Sequence, residues 1–292
     1  MTLPSPSGGV LDTPPRPPSS SPPPVAVPSG VRELLAAGIF PAEGPITLFI
    51  DYDGTLVPYA STPQEAAPDA ELMNLLERLA TDSRTALHLV SGRSVDDLTR
   101  WFPRLDAQLW AEHGAARRPS PREPWQLVVA SDPEWMAIAG SYLTALTAET
   151  RGALLERKRT SLAWHYRLVD PDLADREVAK LDEALPRILS AHAVEVLRGR
   201  MVREVRPRGV SKGLAVRHLL RHGLPPGAII AIGDDRTDED MFTALPPSGV
   251  AIRVGGGKTG ARYGLTDFRA VRRLLAHLID RPAGKASSGE GL

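Results

Sequence analysis

Short apolar runs alternate with amphipathic stretches on both sides of a middle region of the chain. The run 46–50, with the sequence ITLFI, is rich in β-branched and aromatic residues and is followed by the turn signal Asp53-Gly54. An apolar run of this length predicts a parallel strand that is buried on both faces. The same pattern predicts further strands at 85–90, 109–111, 228–232 and 250–254.

The amphipathic stretches between these strands repeat apolar residues at helical spacing. They predict helices at 69–79, 94–101, 211–222, 238–245 and 267–280. Asp69 follows a proline and is predicted to cap the first of these helices. Strands and helices that alternate in this way predict an α/β fold, with a doubly wound, Rossmann-like parallel sheet covered by helices on both faces.

The middle region, 118–203, has a different pattern, because its strands occur in consecutive pairs. The predicted elements are helices at 133–150 and 173–190 and strands at 153–157, 162–167, 194–197 and 201–205. Pro186 is expected to interrupt the second helix. Paired strands with helices between the pairs predict an inserted α+β cap. We therefore expect a core at 31–117 and 204–283 that is interrupted by a cap at 118–203.

Both ends of the chain lack the patterns of a folded unit. Pro, Ser and Gly dominate residues 1–30, which show no apolar periodicity. Such a segment cannot bury enough surface to offset the entropy lost on ordering, which predicts a disordered tail. Residues 284–292 are expected to form a flexible C-terminal tail. A partner-binding role for the proline runs stays open.

Composition and charge exclude several classes of function. Lys plus Arg and Asp plus Glu both number 35, so the formal net charge of +0 differs from the basic footprint of a nucleic-acid-binding protein. The absence of cysteine excludes disulfides, thiolate catalysis and cysteine-bound metal. The chain shows no membrane-length apolar run and no secretory signal pattern. We expect a cytoplasmic monomer that acts on a small molecule, without nucleic acid, membrane or an obligatory protein partner.

The first candidate site directly follows the strand at 46–50. Its sequence, DYDGT at 51–55, places two carboxylates beyond the carboxyl end of a strand, where open α/β sheets bind their ligands. A carboxylate that attacks phosphorus forms an acyl phosphate and divides one difficult displacement into two steps. A second carboxyl two residues on is suited to protonate the leaving oxygen and then to activate water. The pattern predicts Asp51 as the nucleophile and Asp53 as the general acid and base.

A second acidic sequence, GDDRTDE at 233–239, follows the strand at 228–232. Its acids are expected at the same edge of the sheet as Asp51. Mg²⁺ prefers oxygen ligands and takes one or two protein carboxylates, with water and phosphate as its other ligands. Asp51 and Asp234 meet that need, while Asp235 and Asp238 are candidates for further ligands or for support of the metal site.

Two further residues are suited to bind phosphate. Ser91 ends the strand at 85–90, where its hydroxyl and the neighbouring amides can hold a phosphate oxygen. Lys212 lies at the start of a predicted helix, where a cation is unfavourable to the helix dipole and therefore needs another reason. Neutralising the charge of a transferring phosphoryl group is such a reason.

These motifs, in this order, resemble those of the haloacid dehalogenase superfamily of phosphatases. The resemblance implies that Asp51 is phosphorylated and that Asp53 is the general acid and base. It also implies that Asp234 binds Mg²⁺ together with Asp51 and the backbone carbonyl of Asp53. Ser91 and Lys212 match the second and third motifs of the superfamily.

Polar residues two apart on the predicted cap strands share a face of the sheet. These pairs are Glu156 with Lys158, His165 with Arg167, and Glu204 with Arg206. Together the pairs offer the mixed donors and acceptors that a nonionic sugar requires, although each pair alone also fits a solvent-facing strand.

The cap sequences ERK and HYR, with VREVRPRGVSKG at 202–213 and AEHGA at 111–115, resemble the trehalose-6-phosphate phosphatase family. The resemblance covers roughly residues 45 to 280. It implies Mg²⁺-dependent hydrolysis of trehalose 6-phosphate, the final step of trehalose biosynthesis. The positions it places against the substrate are Arg93, His113, Glu156, Lys158, His165, Arg167 and Glu204.

Two alternatives stay open. The first is a phosphatase for another sugar phosphate, such as sucrose phosphate or a mannosyl phosphate, because the core motifs are shared and the cap residues discriminate. The second is a catalytically silent sugar-phosphate sensor, which would need neither a nucleophile nor a general acid.

Overall fold

The computed structural model of the protein describes residues 30–41, 44–60, 64–129, 132–199 and 201–281. The predicted N-terminal tail, apart from Gly30, and the predicted C-terminal tail at 284–292 lie outside the described residues. Within the described part of the chain, none of the helices combines the length and the apolar character that a membrane span requires.

Helices and strands alternate along most of the described chain. The helices are α1 (Val31–Ala36), α2 (Ala70–Thr81), α3 (Val95–Trp101), α4 (Pro133–Glu149), α5 (Pro171–Ile188), α6 (Gly213–Leu220), α7 (Glu239–Ala244) and α8 (Phe268–Ile279). The strands are β1 (Ile46–Asp51), β2 (Thr85–Val90), β3 (Gln108–Ala111), β4 (Ala116–Arg118), β5 (Gln126–Leu127), β6 (Leu154–Arg157), β7 (Leu162–His165), β8 (Val194–Gly199), β9 (Val202–Pro207), β10 (Ala228–Gly233), β11 (Val250–Val254) and β12 (Tyr263–Leu265).

Strand β1 lies within an eight-stranded sheet of the order β12-β11-β10-β1-β2-β3-β4-β5. It pairs in parallel with β10 on one side and with β2 on the other. Its residues pack alternately into two apolar clusters: Leu48 packs with α2, α3 and α8, whereas Phe49 packs with α6 and α7. Burial on both faces explains the continuous apolar run in the sequence and confirms the predicted doubly wound sheet.

Side-chain caps set the starts of several helices. The Asp69 carboxylate accepts a hydrogen bond from the backbone N–H of Leu72 at 2.7 Å, which confirms the predicted cap of α2. Ser94 and Asp267 cap α3 and α8 in the same way. Such a cap stabilises a helix by about 1 kcal/mol.

A separate four-stranded antiparallel sheet, the cap sheet, has the order β6-β7-β9-β8. One of its faces packs against α4 and α5 around the fully buried Trp135 and Trp164. The other face carries Glu156 and Glu204, since both lie in one cross-strand row with Ala163. The described residues thus contain the predicted α+β arrangement: helices cover one face of the cap sheet, and the other, here called the open face, carries these two carboxylates.

Some predicted boundaries differ from the observed ones. The strand predicted at 162–167 ends at His165, so the alternation that paired His165 with Arg167 does not reach Arg167, which is exposed in the following turn. Helix α5 continues through Pro186 and ends two residues later at Ile188, so the proline does not interrupt the helix and the hydrogen bond that it removes falls at the helix end.

Strand pairing also bears on the predicted division between core and cap. Strands β4 and β5 extend the large sheet to Leu127, and β9 keeps the chain in the cap sheet until Pro207. The chain thus leaves the large sheet after residue 118 and leaves the cap sheet after residue 204, later than predicted in both cases. The division into a core and a cap domain stays a prediction.

Candidate active site

The carboxyl ends of β1, β2 and β10 meet at one edge of the large sheet, here called the catalytic edge. Asp51 is the last residue of β1, Ser91 follows β2 and Asp234 follows β10. The parallel register aligns these ends, since Asp51 lies opposite Val90 and Ile50 lies opposite Ile232. Sheet geometry therefore brings together three motifs that are well separated in sequence.

Lys212 lies between two buried carboxylates at this edge. Its Nζ donates to Asp51 Oδ1 at 2.6 Å and to Asp238 Oδ1 at 2.7 Å. Burial alone would lower the pKa of the Lys212 ammonium, but the two carboxylates outweigh it and raise that pKa. Lys212 therefore keeps its positive charge next to the predicted nucleophile.

Asp238 organises the loop that carries Asp234. It is fully buried, and its Oδ2 accepts hydrogen bonds from the backbone N–H groups of Asp234 and Asp235 at 2.9 and 2.8 Å. These bonds close a short 3₁₀ turn at Arg236–Asp238. Asp235 is exposed, and it contacts Asp238 through its backbone N–H.

Asp234 is held from the opposite side by the loop that follows β1. Thr55 Oγ1 lies 3.2 Å from both Asp234 Oδ1 and Asp51 Oδ2, and the Tyr59 hydroxyl donates to Asp234 Oδ2 at 2.7 Å. Gly54 has a φ of +83°, and a Cβ at this position would lie 2.2 Å from Asp234 Oδ2. The glycine is required both by the left-handed turn and by the close approach of the carboxylate.

Carboxylate oxygens of Asp51, Asp234 and Asp238 all lie within 4.8 Å of one another. Burial, together with the neighbouring carboxylates, raises the pKa of Asp51, and burial raises that of Asp234. These three carboxylates outnumber the one ammonium of Lys212, so a bound cation would balance their excess negative charge. The donor set, made only of oxygens, fits a hard divalent cation such as Mg²⁺.

The carboxylate of Asp53 binds a guanidinium. Arg93 Nε donates to Asp53 Oδ2 at 2.7 Å and Arg93 Nη2 donates to Asp53 Oδ1 at 2.5 Å, a two-point geometry that fixes the carboxyl plane. Ser91 is buried beside this pair, and its hydroxyl oxygen accepts a hydrogen bond from the Arg93 backbone N–H at 3.1 Å. Three of the predicted site residues thus belong to one network.

The open face of the cap sheet reaches the catalytic edge through Lys158 and Glu204. Lys158 Nζ donates to Glu204 Oε1 and to the backbone carbonyl of Gly92, both at 3.0 Å. The Ser161 hydroxyl donates to the same glutamate oxygen at 2.6 Å, and His113 Nε2 lies 3.4 Å from Glu204 Oε2. The predicted sugar-binding residues Lys158 and His113 therefore both contact Glu204, and Lys158 also binds Gly92, the residue that follows Ser91.

The charges of this group are mutually dependent. Burial would raise the pKa of Glu204, but Lys158, His113 and Ser161 outweigh burial and lower it well below the ordinary value. Burial lowers the pKa of His113 against the opposing effect of Glu204. The group therefore holds one stable carboxylate and one stable ammonium at neutral pH, which suits the recognition of hydroxyl groups.

Farther along the same face, His165 Nε2 lies 2.8 Å from Glu156 Oε2, and both side chains are half-exposed. Burial would raise the pKa of Glu156, but the hydrogen bond with His165 and the charge of Lys158 lower it. Arg167 does not join this pair, since it lies beyond the end of β7.

The side chains that contact the site without being sequence candidates include those of Thr55, Tyr59, Ser161 and Glu112. Thr55 lies within the DYDGT sequence and Tyr59 shortly after it, so the composition of that loop was an available signal. Glu112 directly follows β3, at the same edge of the sheet as the other motifs. Its contacts, described below, depend on a loop 47 residues away and leave no local pattern.

Comparison with known proteins identifies the family. Residues 49–270 match the trehalose-phosphatase family. The bifunctional trehalose-6-phosphate synthase/phosphatase of Thermoproteus tenax is 40% identical over 231 residues, which cover 79% of this chain and 31% of that protein. The trehalose-phosphatase of Zygosaccharomyces rouxii is 36% identical over 216 residues, covering 67% of this chain and 24% of that protein.

The chain thus spans less than a third of the length of these curated relatives. The solved C-terminal domain of a C. albicans trehalose-6-phosphate phosphatase superimposes with a TM-score of 0.77 at 30% identity. That match covers 86% of this chain and 98% of the domain, so it includes both sheets. The fold, the order of the motifs and these matches agree, and the chain belongs to the trehalose-phosphatase family.

Proposed function

We propose that the protein is a Mg²⁺-dependent phosphatase that hydrolyses trehalose 6-phosphate to trehalose and inorganic phosphate. The observation that carries the proposal is the buried contact of Asp51 with Lys212 at the catalytic edge, in a chain of this family. A carboxylate at a phosphate site repels an anionic substrate and so does not favour binding alone, whereas phosphoryl transfer needs such a group as its nucleophile.

The reaction follows from the two aspartates. An oxygen of the Asp51 carboxylate attacks phosphorus and forms an acyl-phosphate bond, while the bond between phosphorus and the sugar oxygen breaks. The carboxylic acid of Asp53 gives its proton to that oxygen, so neutral trehalose leaves. A water then attacks phosphorus and gives a proton to the Asp53 carboxylate, which releases inorganic phosphate and restores Asp51.

Other side chains of the site position these two groups. The positive charge of Lys212 lies next to Asp51 and would stabilise the negative charge of the phosphoryl oxygens that approach it. Arg93 holds the Asp53 carboxylate by two hydrogen bonds and so fixes the plane of the group that takes up and transfers the proton. Ser91, which is buried and accepts a hydrogen bond from the Arg93 backbone N–H, offers its hydroxyl to a phosphate oxygen.

The metal site is proposed at Asp51, Asp234 and the backbone carbonyl of Asp53. Support for it is the cluster of oxygens around Asp234 and the excess of carboxylates over ammonium groups there. When bound, Mg²⁺ would supply positive charge opposite the transferring phosphoryl oxygens. Asp238, whose oxygens already bind Lys212 and two backbone N–H groups, acts as support for the site rather than as a ligand.

The substrate is proposed to lie with its phosphate at the catalytic edge and its sugars against the cap sheet. Lys158, Glu204 and His113 would contact the first sugar, because they adjoin Gly92. Glu156 and His165 lie farther along the same face and suit the hydroxyls of a second sugar. The finer expectations of a cytoplasmic location and a monomeric state rest on the sequence alone.

The test is phosphate release from a panel of sugar phosphates, with and without Mg²⁺, by the protein and its Asp51→Asn variant. We expect selectivity for trehalose 6-phosphate and a loss of kcat of about 10⁴-fold or more in the variant. Equal turnover of several sugar phosphates would contradict the substrate assignment. Tight binding of one sugar phosphate without turnover would favour a sugar-phosphate sensor over an enzyme.

A further inference from the structure

Glu112 is a buried carboxylate that the proposed reaction does not use. It lies at the end of β3 and is 2% exposed. Its Oε1 accepts a hydrogen bond from the backbone N–H of Arg159 at 3.0 Å. Its Oε2 accepts bonds from the backbone N–H and the hydroxyl of Thr160 at 2.7 and 2.6 Å. All three donors belong to the loop 158–161 that joins β6 to β7.

The 158–161 loop carries the groups that bind Glu204. Lys158 Nζ and the Ser161 hydroxyl both donate to Glu204 Oε1, and Lys158 also reaches the Gly92 carbonyl. A shift of the loop would therefore move Lys158 and change the partners of Glu204 at the same time. Glu112 follows β3 of the eight-stranded sheet, and this sheet with its helices is here called the large-sheet unit. Glu112 accepts hydrogen bonds directly from the backbone of the loop.

The backbone around Glu112 is held in an uncommon conformation. Glu112 and His113 are adjacent non-glycine residues with φ of +51° and +57°. Left-handed conformations at such residues persist where surrounding contacts determine them. His113 packs so closely on Gly92 that a Cβ there would lie 2.6 Å from its ring. The turn thus directs Glu112 toward the cap loop and His113 toward Glu204.

We propose that Glu112 is a positioning residue that fixes the 158–161 loop on the large-sheet unit and thereby places Lys158 and Glu204 beside the phosphate site. The inference rests on the proposed function, because it assigns those two residues to the sugar. Three hydrogen bonds to one buried carboxylate favour the docked loop, and weakening them lowers the population of the binding-competent state.

The first experiment compares the Glu112→Gln variant with the unaltered protein on two substrates. Gln keeps the size of the side chain, but it loses the charge, and its amide nitrogen cannot accept a hydrogen bond. We expect kcat/KM for trehalose 6-phosphate to fall by about 10- to 100-fold. For p-nitrophenyl phosphate, which has no sugar to contact the cap sheet, we expect a change of about twofold or less.

A second readout does not depend on activity. Hydrogen exchange of peptides that cover 158–161, followed by mass spectrometry, reports directly on the N–H groups of Arg159 and Thr160. In Glu112→Gln these peptides should exchange at least about tenfold faster, while peptides from β1 and β10 keep their protection.

Matched variants separate the proposed contact from general damage. Glu123→Gln makes the same change at an exposed glutamate whose partner is Ser120, and it should leave both readouts unchanged. Thr160→Ser keeps the hydroxyl donor and should remain close to the unaltered protein. Thr160→Val removes that donor and should shift both readouts in the direction of Glu112→Gln.

The outcomes are distinguishable from failure of the proposed function. If the unaltered protein releases phosphate from a different sugar phosphate, the substrate assignment fails, but the same kinetic ratio and the exchange test still apply to Glu112. Unchanged exchange at 158–161 in Glu112→Gln would overturn the positioning role. So would an equal loss of turnover on both substrates with unchanged thermal unfolding.

Discussion

The catalytic edge and the open face of the cap sheet both use buried charges, but they fix those charges in different ways. At the catalytic edge, Asp51 and Asp234 end strands whose register is set by backbone hydrogen bonds, and Lys212 binds two carboxylates there. On the cap sheet, Glu204 depends on Lys158 and Ser161, which are the ends of the 158–161 loop that Glu112 binds.

The two regions therefore position their functional side chains in two different ways. The catalytic groups are placed by strand ends within one sheet, so short sequence motifs are enough to specify them. The sugar-facing groups are placed by contacts between two units, so their geometry depends on how the units dock. We therefore expect substitutions at the edge to change the chemistry, and substitutions on the cap sheet to change which substrate is used.

The largest effect in this comparison is expected for Gly54→Ala at the catalytic edge. The added Cβ would lie 2.2 Å from Asp234 Oδ2 and would occupy a φ of +83°, so the carboxylate must shift. A misplacement of about 1 Å at a catalytic site costs about 10²-fold in rate, and we expect a loss of at least this size on every phosphate ester. Steady-state kinetics on sugar and aryl phosphates would measure it.

Gly223→Ala is the matched control for that substitution. Gly223 has a φ of +110°, but its Cβ would meet nothing within 4 Å. It should lose about 1–2 kcal/mol of unfolding free energy from the left-handed backbone and keep its activity. If both variants kept full activity, the packing of Asp234 on Gly54 would have no bearing on the chemistry.

The cap sheet is tested by Glu204→Gln. The substitution removes the charge that Lys158 and His113 face, and a hydrogen bond to a charged group contributes about 1.5–3 kcal/mol. We expect kcat/KM for trehalose 6-phosphate to fall about 10- to 100-fold, with turnover of an aryl phosphate nearly unchanged. Glu183→Gln, on the far side of α5, is the control. If the variant lost turnover equally on both substrates, the cap sheet would affect the chemistry as the catalytic edge does, and the proposed difference between the two regions would be wrong.

The sequence predicted the long strands of both sheets better than the short strands of the large sheet, for physical reasons. β1, β2 and β10 are buried on both faces, so continuous apolar runs mark them and their polar ends stand out. The strands β4, β5 and β12 were missed, because each has two or three residues and depends on pairing with a neighbour that is already in place.

Tertiary contacts account for the remaining differences. Arg167 continues the polar alternation of β7, but the strand ends at His165 and the chain turns back at Val169, whose N–H donates to the Tyr166 carbonyl. Glu112 carries no signal of its own, because its three donors come from another part of the chain. Local patterns predict elements and strand-end motifs, while contacts between units need the folded structure.

The smallest expected effect concerns stability and acidic pH in the large-sheet unit alone. His88 on β2 is buried, and its Nδ1 accepts a hydrogen bond from Trp110 Nε1 at 3.3 Å. Burial, with the charges of Arg117 on β4 and His218 on α6, lowers the pKa of His88 from 6.5 to about 3. Between these two values the unfolded chain binds a proton that the folded chain does not.

Stability should therefore fall as the pH is lowered from 6.5 toward 3, by about 1.4 kcal/mol per pH unit from His88 alone. His88→Gln, which keeps an acceptor for Trp110, should remove that part of the slope in urea unfolding curves measured at pH 7, 6 and 5. His277→Gln, on the exposed side of α8, should retain it. An unchanged slope in His88→Gln would mean that acid sensitivity arises elsewhere, and the cap sheet with its Glu156–His165 pair would then be the region to examine.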